Sequence, residues 1–326
     1  MPTPSLPSFI SEHTVLPMIA APMFLVSGPA LVTACCRAGV IGSFPCPNAR
    51  PIGQLETWMQ EITQDLEAAK EAQPEARIAP WAINMIMHKS YDRFEEELEL
   101  VKKYQPKLVI TALGSPEKVV EAVHDYGGLV FADVNSLSFA QKAAQMGVDG
   151  LILVASGAGG HTGHMASFAF VDAVREFWDG YLVLAGGIST GQGIRACQTL
   201  GADLAYMGTR FIPTHESMAV PEYQEMLIES TINDVILTDA VTGVKAYFMR
   251  QSLEKAGYDI HNLISKKVDF TNSSDDNKAW RDVWSAGQGV GMIKKTASVA
   301  EIVSQLRAEY RATLQQEKKG DAWSNL

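Results

Sequence analysis

Short apolar runs alternate along this chain with segments whose apolar residues recur at three- and four-residue spacing. The first run, residues 15–23, closes on Ala20-Ala21-Pro22-Met23, and residues 28–38 follow with helical spacing. A second run at 40–46 precedes a long amphipathic stretch over 52–72. The third, 78–85, is backed by 91–103, where Glu95-Glu96-Glu97 and Lys102-Lys103 mark a solvated face. The fourth, 108–113, leads into Ser115-Pro116-Glu117, read as an N-cap with a proline at the first helical position. The fifth, 129–134, is followed by Ser136, a cap for a helix reaching Gln145. The sixth, seventh and eighth runs are 151–155, 181–185 and 204–207, and a helix at 190–200, ended by Gly201, fills the last gap.

Runs apolar on both faces suit strands buried in a parallel sheet, and strand–helix alternation at this spacing makes βαβ units. Eight such units predict an α/β fold, a single (β/α)8 TIM barrel; a six-stranded open sheet is the alternative. After Arg210 the rhythm breaks. Residues 211–284 hold helical stretches at 221–231 and 246–256 and a polar segment, Asn272-Ser273-Ser274-Asp275-Asp276-Asn277-Lys278. This part reads as a small, mainly helical lid or substrate domain inserted after the eighth strand. The chain then turns glycine-rich at Gly287-Gln288-Gly289-Val290-Gly291, and a helix over 299–311 returns to the wall. The barrel is thus assigned residues 1–210 and 285–326, and the lid 211–284.

Composition narrows the function classes. A hydrophobic fraction of 47% and a charged fraction of 20% over 326 residues belong to a globular protein with a sizeable core. The net charge of −10, with no basic cluster beyond lysine pairs, argues against nucleic acid and anionic membranes as partners. Cys35, Cys36, Cys46 and Cys197 form no CxxC pair and have no histidine cluster beside them, so no metal site or disulfide framework is expected. The first residues lack the basic start and apolar run of a signal peptide, and no run approaches the ~20 apolar residues of a membrane span. The expected location is cytoplasmic.

The chemistry of such a barrel lies at the C-terminal ends of its strands, with a phosphate-binding place between the loops after strands seven and eight. Two glycine motifs fall there: Gly186-Gly187-Ile188-Ser189-Thr190-Gly191 and Gly208-Thr209-Arg210-Phe211. Glycines let backbone amides approach a phosphate, assisted by the positive end of the following helix. One motif alone is satisfied by tight turns; two at paired loops point to phosphate. The loop after strand six, Gly157-Ala158-Gly159-Gly160-His161, brings a histidine to the mouth, where its ordinary pKa of about 6.5 suits proton transfer. His164 is its rival. Asn84, ending strand three, offers an amide donor and acceptor to a flat polar ring, or else ties two loops together. Asp133, ending strand five, either faces the mouth or caps the next helix.

Together these motifs resemble the nitronate monooxygenase family, formerly 2-nitropropane dioxygenases: Ala21-Pro22-Met23, Ile83-Asn84-Met85, Ala158-Gly159-Gly160-His161, Ala185-Gly186-Gly187-Ile188, Met207-Gly208-Thr209-Arg210-Phe211 and Trp284-Ser285-Ala286-Gly287-Gln288-Gly289. The resemblance implies an FMN cofactor, with Pro22, Met23, Asn84, Gly159, Gly160, Gly186, Gly187, Gly208, Thr209 and Gln288 around it and His161 as the catalytic group. It implies oxidation of alkyl nitronates or nitroalkanes with dioxygen to carbonyl compounds and nitrite, and it leaves a homodimer open. The chain departs from the pattern at Asp133, where several relatives carry lysine or glutamine, and at Val154, where many carry glutamine. An NAD(P)H:quinone or enoyl-thioester reductase of the same superfamily is the alternative, and a binding barrel without activity is a third reading.

Overall fold

The computed structural model describes residues 5–266 and 283–320. Eight parallel strands close on themselves: β1 Met18–Ala20, β2 Ile41–Pro45, β3 Trp81–Ile86, β4 Leu108–Ala112, β5 Leu129–Val134, β6 Gly150–Val154, β8 Tyr181–Ala185 and β9 Leu204–Met207. Strand β7, Gly160–His161, lies outside the barrel. Closure is completed by β1 against β9, with Met18 opposite Ala205 and Ala20 opposite Met207. The (β/α)8 barrel therefore stands, and the open sheet is excluded.

Period-two alternation divides the strand residues between two cores. Ile19, Ile41, Ala82, Ile110, Phe131, Ile152, Val183 and Leu204 fill the barrel interior. Met18, Phe44, Ile83, Val109, Val130, Leu151 and Leu182 face the surrounding helices. A short element at the N-terminal end escaped the sequence reading. Helix α1, Ser8–Ser11, carries Ile10 into the interior cluster, and Tyr181 at the start of β8 donates to the Ser5 carbonyl at 3.2 Å, so α1 closes the barrel opposite the site.

The outer helices are α2 Pro29–Arg37, α3 Ile52–Ala72, α4 Phe94–Tyr104, α5 Glu117–His124, α6 Leu137–Gln145, α7 Ser167–Arg175 and α8 Gly191–Thr199. Ser136 caps α6 through the Phe139 amide, and Thr190 caps α8 through the Gly193 amide. Ser115 does not cap α5. Pro116 has already turned helical (φ −79°, ψ −5°), and the Ser115 hydroxyl lies on the Met146 sulfur at 3.1 Å. The C-terminal helix, Val299–Lys318, starts on a Ser298–Glu301 capping box and runs past the expected end at 311.

The insertion differs from the helical expectation. Helix α9, Pro221–Glu229, is present, but Ala246–Met249 is a strand, β11, and helix α10 begins only at Arg250 and ends at Lys255. Strand β11 pairs antiparallel with β10, Val235–Thr238, and on its other side with β7, placing Ala246 opposite His161. Ala246, Tyr247, Phe248 and Met249 are all buried, a run that local pattern alone cannot assign to helix or strand. The polar segment 272–278 lies outside the described residues. No helix among the described residues is long and apolar enough to cross a membrane.

Candidate active site

A cavity of about 550 Å3 opens at the C-terminal ends of the barrel strands, within the usual range for small-molecule sites. Its near wall is the loop after β1, which carries Pro22 and Met23. Asn48 shapes that loop: its side-chain oxygen accepts from the Leu25 amide at 2.9 Å, and its amide donates to the carbonyls of Met23 and Ser27 at 2.9 and 2.7 Å. Leu25 (φ 58°) and Leu113 (φ 64°) both line the cavity in the left-handed region, which bulky residues rarely enter. Strain of this kind concentrates at functional sites.

The far wall holds the two glycine motifs. Gly186 (φ 127°) passes so close to the preceding strand loop that a Cβ would sit 2.7 Å from the Ser156 carbonyl oxygen. At Gly187 (φ 67°) a Cβ would meet nothing within 4 Å; this backbone faces open space beside Gly208 and Thr209, which also line the cavity. The start of α8 corrects the expectation of a helix end aimed at the phosphate. Glu309 of the C-terminal helix accepts from the Gly191 amide at 2.8 Å, and Thr190 accepts from the Gly193 amide. That helix end is already satisfied by a carboxylate, so any anion at this wall depends on the loop backbone before it.

The glycine-rich segment after Trp284 acts as a clamp. The Gly287 backbone amide donates to the Thr209 hydroxyl at 2.9 Å, the Gln288 backbone amide to the Gly157 carbonyl at 2.9 Å, and the Gly160 backbone amide to the Ser285 hydroxyl at 2.7 Å. Gly287 and Gly289 line the cavity, but Gln288 does not; its side-chain amide donates to the Tyr247 hydroxyl at 2.9 Å. Gln288 thus joins the clamp to β11 instead of facing a ligand.

Among the polar residues lining the cavity, several come from the strands: Asn84 from β3, Asp133 from β5, Tyr206 from β9 and His161 from β7. The Asn84 amide donates to the Ile110 carbonyl at 3.3 Å, leaving its oxygen for other partners. His161 does not sit on a loose glycine loop. The β11 pairing holds it, and Thr162 beside it donates to the Ala155 carbonyl at 3.1 Å. His161 is largely buried at the cavity wall, and this desolvation lowers its pKa to about 4. The imidazole is therefore neutral at pH 7. His164 is exposed and lines no part of the cavity. Asp133 faces the mouth and caps no helix, and burial pushes its carboxyl up to about 7. Gly159 and Gly160 complete this side. Tyr206 was missed from sequence; its inward register two residues after Leu204 was the available signal.

All four cysteines are buried free thiols, and among the described residues no group of three or more His, Cys, Asp or Glu side chains could hold a metal. The cavity combines an open backbone cradle, a neutral histidine and a lining that mixes apolar side chains with Asn84, Asp133 and Tyr206. Such a site suits a flat ligand with an anionic tail and proton transfer beside it.

Comparison with known proteins agrees with this picture. The profile of the family "Nitronate monooxygenase" matches residues 8–309. A probable nitronate monooxygenase of Bacillus subtilis (strain 168) is 25% identical over 336 residues, covering 90% of this chain and 95% of its own. Among solved structures, a nitroalkane oxidase from Streptomyces ansochromogenes superposes with a TM-score of 0.80 at 21% identity, covering 95% of this chain and 100% of its own. FabK from Thermotoga maritima does so with a TM-score of 0.77 at 22% identity, covering 97% and 99%. At these identities the two structures speak for the fold, while the family match spans the barrel and the site together. The chain belongs to the nitronate monooxygenase family of oxidoreductases.

Proposed function

We propose that the protein binds FMN in this cavity and oxidises alkyl nitronates with dioxygen to carbonyl compounds and nitrite. The observation that carries the reading is the convergence on one cavity of the open Gly187 cradle, Gly208 and Thr209 on one wall and neutral His161 on another. The residues fit the cofactor. The loop backbone at Gly186, Gly187 and Gly208 would hold the phosphate, with Thr209 beside it. Pro22, Met23, Gly159 and Gly160 would border the ring, and the Asn84 oxygen would accept a hydrogen bond from it. Gln288 would act only through Tyr247 and the clamp.

FMN, when bound, supplies the electron-accepting chemistry. The protein's part is binding, orientation and handling of one proton. His161, neutral at pH 7, presents a lone pair on a ring nitrogen and accepts the α-proton when the substrate is a neutral nitroalkane. A pKa near 4 makes it a weak base alone. Loss of that proton turns the substrate into an anion beside the imidazolium, and opposite charge in a desolvated site raises the pKa as the transfer proceeds. With a preformed nitronate no proton need move, and His161 only positions the substrate.

The test follows from that division. After FMN reconstitution, nitrite release in air is compared for propyl-2-nitronate and 2-nitropropane. His161→Asn is expected to lower kcat/KM for the neutral nitroalkane by ~10²–10⁴, and for the nitronate by far less. Equal losses on both substrates contradict the base role, and no nitrite from either contradicts the function.

A further inference from the structure

The cavity lining carries two buried polar atoms to which no described residue hydrogen-bonds. Oδ1 of Asp133 and the hydroxyl of Tyr206 are sealed from solvent, and neither makes a hydrogen bond to any described residue. Both side chains line the cavity. They rise from strands β5 and β9, which β6 and β8 separate around the barrel. Buried polar atoms in folded proteins are nearly always paired, so two unpaired ones on side chains that line one cavity mark the place of a ligand's polar atoms.

The character of the pair narrows the ligand. Among the described lining residues Asp133 is the only carboxyl, and none is a lysine or arginine. The other titratable groups facing it are His161 from β7, Tyr206 from β9 and Tyr223 from α9. Burial pushes the Asp133 carboxyl up to about 7, and burial, with a smaller contribution from the Asp133 charge, raises the Tyr206 hydroxyl. As a carboxylic acid, Asp133 both donates and accepts; as a carboxylate it only accepts.

We propose that Asp133 and Tyr206 form a hydrogen-bonding floor for the polar edge of the bound flavin ring, with the protonated Asp133 carboxyl donating to a ring carbonyl or unprotonated ring nitrogen. This rests on the FMN reading above. A carboxylate there would set its lone pairs against those of the ring, so flavin binding and Asp133 protonation assist each other. By linkage the assistance is mutual: flavin binding favours the protonated carboxyl, and raising pH weakens flavin binding. Asp133 is thus a positioning residue for the cofactor.

The test is an equilibrium titration of flavin-free protein with FMN and with riboflavin, followed by quenching of flavin fluorescence from pH 5.5 to 9. Wild type, Asp133→Asn and Tyr206→Phe are compared, with circular dichroism confirming that each is folded. The wild-type Kd for either flavin is expected to weaken about tenfold more across this range than that of Asp133→Asn, whose amide donates at every pH. Tyr206→Phe should weaken binding at all pH values and keep the wild-type pH dependence. Riboflavin removes the phosphate's own titration, with a pKa near 6, from the comparison. Parallel pH profiles for wild type and Asp133→Asn, with both flavins bound, overturn the proposal and leave the cofactor reading intact. Failure of folded wild type to bind either flavin overturns both.

Discussion

At the residue scale the site joins two titratable groups whose burial acts in opposite directions. Desolvation disfavours the charged form of each, so the Asp133 pKa rises to about 7 and that of His161 falls to about 4. Between pH 4 and 7 the folded protein holds a proton on Asp133 that the unfolded chain releases, so this residue's contribution to stability falls as pH rises through that window. Between pH 6.5 and 4 the unfolded chain takes up a proton that folded His161 refuses, so its contribution falls as pH falls. Asp133→Asn in the flavin-free protein is therefore expected to raise stability at pH 8, by at most on the order of 4 kcal/mol, and to change it little at pH 4. Urea unfolding at the two pH values measures this; an equal effect at both would show that Asp133 is not desolvated in the folded state. The residues legible in sequence were those whose chemistry follows from position at a strand end. His161, Asn84, Gly187 and Gly208 all reach the cavity. Gln288 does not, because its direction is set by Tyr247, a residue far away in sequence.

At the element scale, the parts that position the site are joined by contacts between distant segments. Helix α8 lies so close to the C-terminal helix that a Cβ on Gly191 would sit 2.1 Å from the Leu306 carbonyl oxygen. Tyr310 and Glu317 of that helix add bonds to Gln198 and Arg195. Gly191→Ala should separate the two helices and cost ~1–3 kcal/mol, as overpacking does, and it should release the Gly191 amide from Glu309. A urea midpoint within error of wild type would show that the helices do not meet so closely. From sequence, Gly191 read as part of a phosphate loop, since a glycine needed for helix packing and one needed for a ligand look alike in a single chain. The β7–β11 pairing was hidden for a related reason. A two-residue strand carries no periodicity, and Ala246–Met249 is as apolar as a buried helix turn. That hairpin turns His161 from a loop residue into one held on a sheet.

At the scale of the whole molecule, the barrel was legible because parallel strands buried on both faces leave continuous apolar runs, such as Leu108–Ala112 and Gly150–Val154, separated by amphipathic helices. The plug formed by Ile10 was not, since one helical turn lies below the reach of any pattern. The closed barrel brings chemistry from six separated loops to one mouth, and the family match covers that arrangement from end to end. Fold and family leave two electron donors to distinguish, a nitronate and a reduced nicotinamide, because one flavin barrel serves both chemistries. The most direct measurement is anaerobic mixing of the FMN-loaded protein with propyl-2-nitronate and, separately, with NADH and NADPH, followed by the visible absorbance of the flavin. Rapid loss of the oxidised flavin spectrum with the nitronate, and no comparable change with either nicotinamide, is the expected result. Rapid bleaching by NADH or NADPH with no response to the nitronate would contradict the proposed function and make the protein a reductase.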